Sequence, residues 1–198
     1  MSKMDLEPKR ILLVDDNPEI HADFRKILES ENQDSSLLAS KEALFGKNEK
    51  NTDNRGENYL IDSAYQGQEA LEWVKKSVAD GKPIALAFID VRMPPGWDGV
   101  ETIKQIWQVD PKIQVVICTA HSDYSWEETA QQLHKCDNFL IFKKPFDVVE
   151  IHQLASALTR KWELRRQVEH HIENLETLVH SRTADLADSL TFTNSCNA

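Results

Sequence analysis

The sequence predicts a doubly wound α/β domain with a five-stranded parallel sheet, followed by a long amphipathic helix. Three observations carry this. Short apolar, β-branched runs recur along the first 150 residues, and helical patterns separate them. The stretch from Asp147 to about Ser189 then holds no Pro or Gly and keeps one apolar heptad. Strands covered on both faces read as near-continuous hydrophobic runs, with helices as crossovers between them.

In chain order, Ile11-Leu12-Leu13-Val14 reads as the first buried strand. Tyr59–Ala64 reads as the second, before a helix that Gly67 introduces. Residues 84–89 (IALAFI) give the third, residues 113–118 (IQVVIC) the fourth, and Phe139-Leu140-Ile141-Phe142 the fifth. Turn-forming or charged residues bound each run. Residues 31–58 interrupt the pattern. Leu37, Leu38, Ala43, Leu44 and Phe45 can form one short amphipathic helix there, and GKNEKNTDNRGEN reads as a mobile surface loop. In the tail, Ile151, Leu154 and Leu158 fall where a last helix packs on its sheet. Val168, Ile172, Leu175, Val179 and Leu186 continue the register as an a/d seam, interrupted by Lys161, Arg165 and Arg182. Such a stripe needs cover, most simply from a second helix of its own copy, the alternative being a helix folded back on its own domain.

The 198 residues suit one domain with an appendage, since domains run to roughly 100–200 residues. A composition 40% hydrophobic and 28% charged can bury a core and excludes a wholly disordered chain. No apolar run approaches the roughly 18 residues of a membrane span, and MSKMDLEPKR carries no signal-peptide core. Thirty-three acids against 23 bases leave a net charge of -10, which disfavours nucleic acid and direct membrane contact. Cys118, Cys136 and Cys196 show no CxxC spacing. Neither a disulfide framework nor structural zinc is expected, and a reducing cytoplasm fits.

In open parallel sheets, ligands bind outside the carboxyl ends of the strands. There the sequence places Asp15-Asp16 after the first strand, Asp90 after the third, Thr119-Ala120 after the fourth and Lys143-Lys144-Pro145 after the fifth. Clustered carboxylates repel unless a cation sits among them. Mg²⁺ prefers one or two carboxylates, a carbonyl and waters. Acids joined by a lysine and a hydroxyl suit a phosphoryl group.

At these residues the chain resembles the receiver domains of two-component response regulators. The matching stretches are ILLVDDN (Ile11–Asn17), DVRMP (Asp90–Pro94), Asp98-Gly99, CTA (Cys118–Ala120) and KKPF (Lys143–Phe146). The resemblance implies a flavodoxin-like sheet of order 2-1-3-4-5. It implies Asp90 as phosphoacceptor from a histidine kinase or phosphotransfer protein, and Asp15 and Asp16 as the acid pair of the metal site. Mg²⁺ would be bound by Asp16, Asp90 and the Arg92 backbone carbonyl. Thr119 would be the switch hydroxyl and Lys144 the phosphate-contacting lysine, with a cis peptide before Pro145. The domain would span 1–158, with 31–58 as an insertion. A signalling and dimerisation helix would follow over 159–190, then a disordered tail over 191–198.

Two departures from the family pattern stand out. Ile141 occupies the place of the usual strand-five aromatic, with Phe139 and Phe142 expected on the opposite face. The loop MPPGWDG is one residue longer than the common spacing. The segment Asn174–Leu186 resembles helical linkers that precede histidine kinase or cyclic-di-GMP output domains, yet no output motif is present, and His170 and His171 read as solvated helix residues. A phosphorylation-independent dimeric scaffold of the same fold is the competing reading. A haloacid-dehalogenase-like hydrolase would want an aspartate where Arg92 stands. The receiver resemblance implies no enzymatic turnover beyond self-phosphorylation and autodephosphorylation, with room for an enzymatic output domain in a longer parent chain.

Overall fold

The structure is a computed structural model that describes residues 8–29, 58–120 and 137–195, with side chains as far as residue 183. The described residues form five strands: β1 (Lys9–Val14), β2 (Tyr59–Ala64), β3 (Ile84–Asp90), β4 (Gln114–Thr119) and β5 (Phe139–Lys143). All pairs are parallel, in the order β2-β1-β3-β4-β5. Four helices are described: α1 (residues 18–29), α2 (Gly67–Ala79), α3 (Gly99–Val109) and α4 (Val148–Ser195). The expected amphipathic segment around Leu37–Phe45, and most of 31–58, lies outside the described residues.

Strand alternation divides the core into two layers. Leu12, Val14, Ala87, Ile89, Val115 and Ile117 face one side, where they pack with Ala70 and Val74 of α2 and Ile103 and Ile106 of α3. Ile11, Leu13, Phe88, Val116 and Cys118 face the other, against Phe24 and Leu28 of α1 and Ile151, Ala155 and Leu158 of α4. Phe139 and Ile141 both pack on the first layer and Phe142 on the second. Phe139 therefore shares the face of Ile141 and does not oppose it. Residues two apart on a strand point the same way, so the expectation of opposite faces holds for Phe142 alone.

Local chemistry fixes the helix ends. Asp98 caps α3: its Oδ1 accepts from Glu101 N at 2.8 Å, and its carbonyl accepts from Thr102 Oγ1 at 2.7 Å. Gly81, just past α2, has φ 68°, and Lys82 N returns to Ser77 O at 2.9 Å. Asp147 Oδ1 accepts from Val149 N at 2.7 Å at the start of α4. That helix continues through Ser195, beyond Thr191, where the sequence suggested fraying. No Pro or Gly stands there to stop it. The chain divides into two compact units, Met1–Trp162 and Glu163–Ala198.

Candidate functional site

The parallel register sets the site. Val14 pairs with Ala64 and Ile89, Asp90 with Cys118, and Thr119 with Lys143. The next residues along β1 and β5, Asp15 and Lys144, thus emerge at the same sheet edge as Asp90 and Thr119.

Lys144 joins the two carboxylates. Its Nζ lies 2.8 Å from Asp15 Oδ2 and 2.6 Å from Asp90 Oδ1. The peptide bond between Lys144 and Pro145 is cis, as the resemblance implied, and so is that between Pro94 and Pro95. Asp15 is buried, and its remaining oxygen Oδ1 accepts from Asn17 N at 2.9 Å. Asp90 Oδ2 accepts from Arg92 N at 2.9 Å. Burial raises the Asp90 carboxyl above its ordinary 3.8, outweighing the downward pull of the Lys144 hydrogen bond and charge. Burial works to lower the Lys144 ammonium, but hydrogen bonds to Asp15 and Asp90 together hold it above its ordinary value.

The other expected site residues are placed differently. Asp16 is exposed on the turn after β1, and Arg92 is exposed after β3. Thr119 Oγ1 donates to Ala120 O at 3.0 Å, while the Thr119 carbonyl accepts from Lys144 N at 2.9 Å. Lys143 is exposed. Buried Cys118 lies beside Asp90 in the sheet, and burial pushes its thiol far up, so it stays protonated and inert.

The structure brings Asp15, Asp90 and Lys144 into direct contact and leaves Asp16 at the rim. Among the described residues, no three His, Cys, Asp or Glu side chains gather as a metal site. Lys144 bridges the two inner carboxylates, and Asn17 takes one oxygen of Asp15. The oxygen-only donor set of carboxylates and an adjacent carbonyl nevertheless fits Mg²⁺, which takes few protein ligands and keeps its waters.

Three features were not anticipated from the sequence. Buried His21 on α1 contacts Asp15 O and Ser63 Oγ. The one available signal is its spacing from Phe24 and Leu28, which marks a core-facing position. Gln66 Nε2 donates to Pro94 O at 3.3 Å and so ties the start of α2 to the lengthened loop. Gly99 sits so close to β3 that a Cβ there would lie 2.4 Å from the Asp90 carbonyl.

Residues 50–156 match the family model of the response regulator receiver domain. The chain belongs to this family. It is a receiver domain of two-component signalling, a phosphoacceptor module of a family that is typically Mg²⁺-dependent. The matched span begins after β1, and Asp15 meets the matched region through its contact with Lys144. Sporulation initiation phosphotransferase F of Bacillus subtilis (strain 168) is 33% identical over 95 residues, covering 48% of this chain and 69% of that one. Transcriptional regulatory protein ZraR of Escherichia coli (strain K12) is 39% identical over 93 residues, 47% of this chain. The match spans only 19% of ZraR's own length. Among solved structures, the CheY-like response regulator receiver domain protein from Methanospirillum hungatei JF-1 superposes with a TM-score of 0.57. It has 19% identity, over 80% of this chain and 99% of that one, a likeness of fold. No described helix is long and apolar enough to cross a membrane.

Proposed function

We propose that Asp90 accepts a phosphoryl group from a phosphohistidine of a kinase or phosphotransfer protein. The single observation that carries this reading is the Lys144 ammonium held against both Asp15 and Asp90 at the strand ends. A carboxylate attacks phosphorus poorly because both partners are anionic, and a fixed cation at the point of attack lowers that repulsion. In the transfer, an Asp90 carboxylate oxygen bonds to phosphorus while the phosphorus–nitrogen bond of the donor breaks. The electron pair leaves on the imidazole. Asp16, Asp90 and the Arg92 carbonyl, with Asp15 beside them, would hold Mg²⁺. The ion would supply charge neutralisation for the phosphoryl oxygens.

Once Asp90 is phosphorylated, Lys144 loses one of its carboxylate partners and can follow the new anion. Thr119 Oγ1, bonded only to its neighbour's carbonyl among the hydrogen bonds described for it, is free to turn to a phosphoryl oxygen. The backbone bond from Lys144 N to Thr119 O couples these two responses. Beside Lys144, a cleft of about 810 Å³ walled by Ile20, Phe24, Ile27 and Phe146 offers an apolar seat for the donor domain.

The rest of the reading concerns the tail. We assign the receiver to 1–158 and a signalling helix to 159–190, which pairs with a second copy in parallel and passes the state of Asp90 to an output module. The exposed stripe of Val168, Ile172, Leu175 and Val179 supports this. Intact-mass measurement after acetyl phosphate and Mg²⁺ tests the first step. One added phosphoryl group is expected, lost in Asp90→Asn and on chelation. Equal labelling of Asp90→Asn would overturn the assignment and leave the scaffold reading.

A further inference from the structure

His21 takes no part in the chemistry above, yet it is only 3% exposed and both ring nitrogens are engaged. We infer that His21 is a positioning residue for the acid turn, holding the Asp15 carbonyl so that Asp16 starts from a fixed point at the end of β1. The inference rests on the receiver reading of that turn.

The hydrogen bonds run in one direction. The Asp15 carbonyl can only accept, so His21 Nε2, 2.8 Å away, must donate. In the neutral ring, Nδ1 is then an acceptor, and the Ser63 hydroxyl at 3.0 Å completes it. The Ser63 oxygen in turn accepts from Arg25 Nη2 at 2.9 Å. The ring is tilted against Tyr65 at 4.6 Å between centroids. α1 and β2 therefore jointly hold one carbonyl at the end of β1.

That carbonyl matters because of peptide geometry. The Asp15 carbonyl and the Asp16 nitrogen and Cα lie in one plane. Asp15 N donates to Ala64 O at 3.3 Å, which fixes the near side of the residue, and His21 fixes the far side. The Asp15 side chain is fully committed to Asn17 N and Lys144. The remaining freedom of the turn lies at Asp16, and the His21 bond limits it. An apolar residue would fill this place next to Phe24 at no desolvation cost; an imidazole is favoured only if its bonds are used. Partners that orient metal ligands typically change metal affinity roughly 10–100-fold when lost.

The test is calorimetric titration of the full chain with MgCl₂. His21→Leu should weaken Mg²⁺ binding roughly tenfold. In His21→Gln the amide nitrogen takes the place of Nε2 and should keep binding within about threefold of the wild type. In His21→Asn the amide reaches only the Ser63 side, so binding should fall as in the leucine variant. If the leucine variant fails to fold, the Gln and Asn pair decides. Equal affinity in Gln and Asn, or a leucine variant within twofold of wild type, would overturn the positioning role. A wild-type chain that binds no Mg²⁺ would overturn the metal site itself, and this inference with it.

Discussion

Between Val148 and Trp162, α4 buries Ile151, Ala155, Leu158 and Trp162, whereas beyond Glu163 it leaves Val168, Ile172, Leu175 and Val179 more than half or about half exposed. Both stretches carry apolar residues three and four apart, the period of one helix face. The difference lies in what covers them. The first stretch meets Leu13, Phe88 and Val116 on a sheet face. The second belongs to a separate compact unit, and its apolar side chains stay about half exposed. Periodicity names the apolar face of a helix; only a partner surface makes it a core. Full burial of each such side chain contributes about 1.5–3 kcal/mol.

The covered stretch depends most on Ile151, which is fully buried. Truncating this fully buried side chain should cost about 2–5 kcal/mol of stability, read as a lower urea midpoint at unchanged slope. A cost below about 0.5 kcal/mol would mean that the first stretch is no more a core than the second.

Gly99→Ala probes the site end of the buried unit. The added Cβ would meet the Asp90 carbonyl at 2.4 Å, so backbone must move. Overpacking of this kind costs about 1–3 kcal/mol. Acetyl phosphate labelling of Asp90 should slow about tenfold, equivalent to about 1.4 kcal/mol in the barrier. Unchanged stability with unchanged labelling would show that the close approach is not a constraint. Asp98→Ala one residue earlier removes only the cap to Glu101 N and should cost about 1 kcal/mol, with labelling nearly normal. Together the two variants separate the effect on Asp90 from simple loss of helix α3.

Much of the receiver unit was legible because its signals are local. Ile84–Ile89 and Val115–Ile117 read as buried strands from their own composition, and parallel topology then puts Asp15, Asp90, Thr119 and Lys144 at one edge. Two-residue spacing also decides the face of Phe139, which it shares with Ile141. Contacts set by residues far apart in the chain were not legible. His21 meets Ser63 across 42 positions, and Lys144 meets Asp15 across 129. A histidine inside a helical stretch carries no local mark of such a bond. Nor could the sequence show that Asp16 sits outside the pair that Lys144 bridges, because that depends on which turn residue the fold buries.

Ile172→Ala gives the smallest effect on the isolated chain and the sharpest test of the uncovered stretch. Ile172 is 50% exposed, and replacing an exposed helix residue with alanine changes stability by less than about 0.5 kcal/mol in a monomer. If two copies pair through this face, each loses an interfacial side chain, and the dimer should dissociate at least tenfold more readily. Sedimentation equilibrium from one to tens of micromolar reads this directly. Phosphorylating Asp90 should shift the same equilibrium if the helix transmits its state, because a ligand or modification can move an equilibrium only by favouring one side. The polar Lys161, Arg165 and Arg182 on the seam suit a coil weak enough to be shifted. A full chain that stays monomeric at tens of micromolar, with and without the phosphoryl group, would leave Ile172 an ordinary surface residue. The second stretch would then be apolar for a partner other than its own copy.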